Sequence, residues 1–408
     1  MNELKMKSKK NRLTIGVLSL SMFFSIERAV SSDFSNSLSF GKKNERLVLS
    51  EPADTDQSTQ KLINQLTREA DKLLKKEIGS VMDKSLVPPS GDKHDYMSYS
   101  QYWWPDLSKP RGAPYIKRDG LKNPAIDSIR DNINMNTMIT CVRILSWAYF
   151  YTSNEKYAAK ATELIRKWFL DPKTLMNPNL NYSQQIPNLN VNRGSGIIDS
   201  HRLPLVIEAI GMLNKSRSWT NADQIGVKKW FTSFMIWLKD SPNGKTESKS
   251  PNNHGTYYDA QLASYALFTG NDDIATAVFK GDFNRLSNQF DEAGRQTLEV
   301  QRTLGFGYSL FNLQAWVILA DAAQTKGIDL WHYETKDGRS LRKAIDWILP
   351  YATGQQRMNF SQIKPINLKG LYPILMKASS KYGSVVYKQK AMELKDNEDV
   401  ITLLQYNQ

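Results

Sequence analysis

Cysteine and histidine are scarce: the 408 residues hold one Cys, Cys141, and four His. A single thiol excludes an internal disulfide and any Cys-rich metal site. His94, His201, His254 and His332 show no His-Glu-x-x-His spacing, so a zinc enzyme is not expected. After the N-terminus no apolar run reaches the ~20 residues of a spanning helix. Strand-like alternation is rare, and no fixed repeat period emerges. What is present is an ordinary globular composition, 40% hydrophobic and 23% charged, which excludes disorder over the whole length. Aromatics make up 11%, with 10 Trp and 18 Tyr, many in polar surroundings. That points to a surface that stacks on something flat, a sugar or a base.

Charge has two sources. The formal net charge is +13. Residues 1–30 supply +4 of it, leaving +9 for the rest. Lys5 to Arg12 form a basic segment, and Leu13 to Ile26 an apolar stretch too short to span a bilayer comfortably. This is the layout of a bacterial secretory signal without a lipid-anchor Cys. The expected organisation is a signal peptide over 1–30, a polar linker over 31–58 and one domain over 59–408. The expected location is periplasmic or secreted, with no stable membrane span after processing. The remaining excess fits an anionic partner: nucleic acid, membrane surface or acidic polysaccharide.

Helical periodicity recurs from Gln60 onward. Leu62, Ile63, Leu66, Ala70, Leu73 and Leu74 share one face. Asn136–Tyr151, Lys156–Phe169, Asp199–Leu213, Ala222–Leu238, Tyr258–Phe268, Tyr308–Ala323, Ser340–Leu349 and Val386–Leu394 continue the pattern. Paired helices joined by short turns or long polar loops predict an all-α fold, an (α/α) toroid. In this incomplete helical barrel, long loops frame a central cleft.

Four loops hold chemistry-bearing residues. Tyr96 to Asp119 packs Tyr99, Tyr102, Trp103, Trp104 and Tyr115 among prolines that prevent a helix. Lys109, Arg111, Lys117 and Arg118 beside them suit carboxylates. Asn177 to Arg202 is dense in Asn and Gln, with Arg193 ahead of Gly194 and Gly196. Amides suit hydroxyl recognition, and glycines let backbone approach a ligand. Asn252 to Gln261 enters an apolar helix, with His254, Tyr258 and Gln261 on one face. Asn253 stands at the helix start, where free N–H groups attract an anion. In Leu298 to Asn312, Arg302 and Tyr308 flank a Gly-containing turn before another helix.

Asn, His, Arg and Tyr without paired acids or metal match β-elimination on uronic acid polymers. The proton alpha to a carboxylate is weakly acidic while that carboxylate stays charged. Arg, Asn and His can neutralise it and stabilise the enediolate. A Tyr with its pKa lowered by a neighbouring Arg can act as base. If proton and leaving group lie on one face, the same Tyr can serve both. On opposite faces, His254 is the natural base and Tyr308 the acid. No metal or other cofactor is expected.

Four segments in order resemble the alginate lyase superfamily of (α/α) toroid polysaccharide lyases: YWWPD, RGSGIID, NNHGTYYDAQ and LEVQRTLGFGYSLFNL. The likeness runs from about Tyr96 to Asn312. It implies Tyr308 as catalytic acid/base and Asn253, His254 and Arg302 as the carboxylate-neutralising set. It also implies Tyr258, Gln184, Arg193, Tyr102 and Trp103 as subsite residues, which Gln261 joins from its helix face. The substrate expected is an acidic polysaccharide, alginate first, with glucuronan or another polyuronate as the alternative. A hydrolase on the same architecture would need two carboxylates. Asp106, Asp119, Asp259 and Glu299 are the candidates, and no pair stands out. An inactive carbohydrate-binding protein is a further alternative. Nucleic-acid binding would use the same charge and aromatics, but the secretory layout and the lack of a recognised motif argue against it.

Overall fold

The computed structural model describes residues 56–187, 189 and 193–406. The expected signal segment, and all but the end of the expected linker, lie outside these residues. Asp56 caps the first helix through a hydrogen bond from the Thr59 amide, so that helix starts at Gln57, two residues before the expected boundary.

Helix α1 spans Gln57–Leu73. Helical hairpins follow, each with an inner and an outer helix. The first is α2 (Asp131–Thr152) with α3 (Glu155–Phe169); the second runs from α4 (Pro204–Leu213) to α5 (Asn221–Asp240), which packs mainly on the inner helix of the third rather than on α4. A short helix, α6 (Pro242–Glu247), precedes the third, α7 (Asn253–Thr269) with α8 (Asp272–Gln289). A single turn, α9 (Thr297–Val300), precedes the fourth, α10 (Gly305–Gln324) with α11 (Leu341–Ala352). The fifth is α12 (Leu371–Tyr382) with α13 (Val385–Leu394), and α14 (Val400–Tyr406) ends the chain against α1 and α12.

The inner helices α2, α4, α7, α10 and α12 pack side by side in that order. Nearly every residue of α4 and most of α10 are buried, as helices lined on all sides must be. Outer helices bury a stripe. In α8 that stripe is Ala275, Phe279, Asp282, Leu286 and Gln289. This is the (α/α) toroid expected, an incomplete ring rather than a closed barrel. No helix among the described residues is long and apolar enough to cross a membrane.

The two ends of the ring differ for a local reason. Within three hairpins, the inner helix stops at a left-handed residue: Ser153 (φ 52), Gly270 (φ 82) or Gly383 (φ 62). Such a residue reverses the chain at once. Side-chain caps from Asn154 and Ser384 then start the outer helices α3 and α13. Between hairpins the chain must return along the ring, and those connections are long. They are 170–203, 241–252, 290–304 and 353–370. All of them meet the N-terminal ends of inner helices, so the loops that frame the cleft gather at one end of the ring; the opposite end holds the three tight turns together with the longer 214–220 and 325–340 connections.

Two small sheets order those loops. Strand β1 (Met97–Tyr99) pairs in parallel with β4 (Tyr182–Gln185), while β2 (Trp103–Trp104) pairs antiparallel with β3 (Ile116–Lys117). The first sheet brings Tyr102 and Gln184 to the same wall. The aromatic surplus is mostly core, contrary to the surface role expected of it. Trp147, Trp168, Trp219, Trp230, Trp316 and Trp331 are all buried.

Candidate active site

The loop end of the ring encloses a cleft of about 420 Å³. Asn253, His254, Arg302, Tyr308, Tyr102, Trp103, Gln184 and Arg193 all line it, drawn from four separate loops. The helix starts aimed at it, those of α2, α7 and α10, add partial positive charge. Lys117, Lys122, Arg193 and Arg302 outnumber the lining carboxylates Asp127 and Asp199.

Three of the lining groups have a carboxylate behind them. Asn253, at the first position of α7, donates through Nδ2 to Glu299 Oε2 (2.7 Å) and through its backbone N–H to Glu299 Oε1 (2.6 Å). The anion expected at this helix N-terminus is thus the chain's own Glu299. Burial pushes the Glu299 carboxyl up, against the hydrogen bonds from Asn253. His254 Nδ1 lies 2.5 Å from Oε1 of the buried Glu247. With Nδ1–H donating to that carboxylate, Nε2 is the nitrogen left for the cleft. Arg302 holds Asp119 with two nitrogens, Nε (3.1 Å to Oδ2) and Nη2 (2.5 Å to Oδ1). Burial raises the Asp119 carboxyl, but the Arg302 and Thr303 hydrogen bonds outweigh it and draw the pKa from 3.8 to about 2. Arg302 Nη1 has no hydrogen-bond partner among the described residues.

Tyr308 is held differently. It stands in the first turn of α10, its Oη donating to Tyr102 Oη at 2.7 Å. The Arg302 guanidinium carbon lies 3.8 Å from its ring centre. The sequence leads one to expect a Tyr pKa lowered by arginine. The opposite holds: burial first, then Tyr102, push the hydroxyl well above 10.0, and Arg302 only partly offsets them. The glycines expected to form a turn here are the first turn of the helix itself. Gly305 N–H donates to Ser361 O (2.9 Å) and Phe306 N–H to Gln362 Oε1 (3.2 Å), so the 353–370 loop braces the Tyr308 turn.

Gln184 adopts a left-handed backbone (φ 48), a strained state for a non-glycine residue. Its amide donates to Asp199 Oδ1 (2.8 Å), and its carbonyl accepts from Arg193 Nη1 (3.1 Å). Asp199 also accepts from Tyr96 Oη and Ser98 Oγ. Burial raises its pKa against those bonds. Arg193 lies over the Trp103 ring at 5.7 Å.

Two expected subsite residues do not reach the cleft. Tyr258 is buried and donates to Leu238 O (3.0 Å), while Gln261 is buried and accepts from Ser200 Oγ (2.6 Å). They do share a helix face with His254. A rise of about 1.5 Å per residue, however, carries them roughly 6 and 10 Å down the axis into the core. The Asn-rich loop also differs from expectation. Asn177 and Asn179 tie to Asp95, and Asn181 accepts from Trp237 Nε1. Gly194 and Gly196 admit protein backbone rather than ligand. A Cβ at Gly196 would lie 2.6 Å from the Ser183 carbonyl oxygen.

Sequence reasoning missed the roles of Glu247, Asp199 and His201 and the lining amides Asn132 and Asn136. His201 Nδ1–H donates to Ile198 O (2.8 Å), and burial, then Arg202, lower its pKa to about 3, so it stays neutral. None of the four carboxylates considered for a hydrolase lines the cleft. No cluster of His, Cys, Asp and Glu suited to a metal occurs among the described residues.

The alginate lyase family model matches residues 80–358. An alginate lyase from Bacteroides ovatus is 38% identical over 85% of this chain and 92% of its own, with a TM-score of 0.80. Alginate lyase A1-III from Sphingomonas species A1 is 13% identical, covers 81% of this chain and 92% of its own, and shares the fold at a TM-score of 0.51. A variant of A1-III complexed with a tetrasaccharide has a TM-score of 0.50 at 14% identity, over 80% of this chain and 87% of its own. No curated protein matches.

Proposed function

The chain belongs to the alginate lyase family of polysaccharide lyases, and from that premise we propose that it cleaves a uronic acid polymer, alginate first, by β-elimination. Residues 59–408 form the catalytic domain in this reading, and residues 1–30 direct export to the periplasm or beyond. The observation that carries it is the convergence of Asn253, His254, Arg302 and Tyr308 on one cleft, three of them backed by a carboxylate.

The second hydrogen of Asn253 Nδ2 and Arg302 Nη1 meet the substrate carboxylate and take up the charge of the enediolate. The neutral His254 ring receives the alpha proton at Nε2. The electron pair of that C–H bond enters the new C4–C5 double bond as the C4–O bond breaks. Tyr308, kept protonated by burial, gives its proton to the departing glycosidic oxygen. The proton on His254 then returns through solvent to Tyr308. Trp103, with Arg193 across its face, and Tyr102 form the sugar platform. One observation favours a second route: Arg302 over the Tyr308 ring would support a tyrosinate serving as base and acid on one face.

The test is activity on mannuronate-rich, guluronate-rich and glucuronate polymers, read by the ultraviolet absorbance of the unsaturated product. Product is expected from at least one polymer. Tyr308→Phe is expected to abolish turnover and retain binding. Absence of unsaturated product from every polyuronate refutes the reaction, and normal cleavage by Tyr308→Phe refutes the assignment of the acid.

A further inference from the structure

Glu247 is 2% exposed, and it closes the six-residue helix α6 beneath the cleft. Glycines make this placement possible. A Cβ at Gly244 would lie 1.6 Å from the Leu238 carbonyl oxygen, and one at Gly194 would lie 2.7 Å from that of Asn243. Side chains are absent where they would push α6 away from the cleft floor. Both carboxylate oxygens are used: Oε1 meets His254 Nδ1, and Oε2 accepts from Ser250 Oγ (3.1 Å). Its charge also reaches the Arg193 guanidinium, which lines the same cleft. A carboxylate is costly to bury unless its partners compensate it. Here the partner that faces the cleft is the ring at the centre of the proposed chemistry.

We infer that Glu247 is a positioning residue for His254. It holds the imidazole with its hydrogen on Nδ1, so that Nε2 enters the cleft as an acceptor. It also balances the charge the ring gains on accepting a proton. This rests on the reading of His254 as the base. The same contact explains why a neutral ring here has one competent tautomer rather than two.

The test pairs spectroscopy with kinetics. With four histidines in the chain, isotope-labelled histidine gives a spectrum simple enough to assign, His254 being the signal lost in His254→Gln. Over a pH series the neutral His254 ring is expected to carry its hydrogen on Nδ1. In Glu247→Ala the hydrogen is expected to move largely to Nε2. Turnover is expected to fall about 10–100-fold, with KM changed less than about threefold. An unchanged tautomer in Glu247→Ala overturns the inference, as does a changed tautomer with unchanged kcat. Should Glu247→Ala fail to fold, Glu247→Gln keeps the volume and one acceptor. Its turnover must then scale with the fraction of His254 protonated on Nδ1, and turnover independent of that fraction also overturns the inference. The tautomer measurement needs no substrate. A chain that holds the Nδ1–H form but yields no unsaturated product from any polyuronate refutes the elimination reading and, with it, the catalytic half of this inference.

Discussion

Asp119→Asn tests whether the Arg302 clamp is a built feature. The carboxylate takes two nitrogens of Arg302 and two donors of Thr303, and its pKa is drawn from 3.8 to about 2. At about 1.36 kcal/mol per pH unit, that depression corresponds to roughly 2.4 kcal/mol. The side chain is 20% exposed, so solvent screening reduces the expected contribution to about 1–2 kcal/mol. The sign follows from the direction. A carboxyl depressed in the folded state contributes fully above its unfolded value of about 4 and loses that contribution as pH falls to about 2. Urea unfolding of both chains across pH should therefore show a deficit of about 1–2 kcal/mol in Asp119→Asn near neutrality that closes between about pH 4 and 2. Turnover should fall with it, by about 10–100-fold, because Arg302 is left with a single acceptor. A deficit that persists unchanged to about pH 2, or no deficit at neutrality, refutes the reasoning.

Two further outcomes follow from packing and burial. Gly196→Ala should destabilise by about 1–3 kcal/mol, because its Cβ would meet Ser183 at 2.1 Å, and paired thermal melts measure this. Cys141 is buried and its thiol is pushed up to about 11 by that burial, despite Lys76 and Lys160. It should resist thiol reagents in the native chain and react as one thiol after denaturation.

Four of the five inner helices were legible from their long apolar runs, whereas α12, with Pro373 in its first turn and Lys377, Ser379, Ser380 and Lys381 along it, was not. Nor was helix α8, although its buried positions fall at heptad spacing. Two of them, Asp282 and Gln289, are polar, so a hydropathy pattern breaks where the packing pattern does not. In the site, Asn253, His254, Arg302 and Tyr308 stood out as residue types at loop-to-helix junctions. Their partners did not. Asp119 is 183 residues from Arg302, and Glu299 is 46 from Asn253, distances over which local pattern carries no pairing information. Glu247 is nearer to His254 in sequence, but it sits on a different helix and no common period links the two. Tyr258 and Gln261 were misplaced for the converse reason: a helical wheel reports angle and discards depth. The direction of the Tyr308 shift was also hidden, since an adjacent arginine can be read from sequence but burial cannot.

The unequal ends of the ring separate what the chain can change from what it must keep. A reversal made by one left-handed residue tolerates almost no insertion without pulling an inner helix out of register. Of the returning loops, 353–370 is under no such constraint away from Ser361 and Gln362, since doubling a flexible loop adds only about 0.6 kcal/mol of closure entropy. Length can therefore vary around the mouth of the cleft while the helical framework stays fixed. A library of insertions in 353–370, kept clear of Ser361 and Gln362, would reshape the polymer path at little cost in stability. A tag or surface anchor belongs instead on the far face, among the tight turns, where it leaves the entrance open to a long chain.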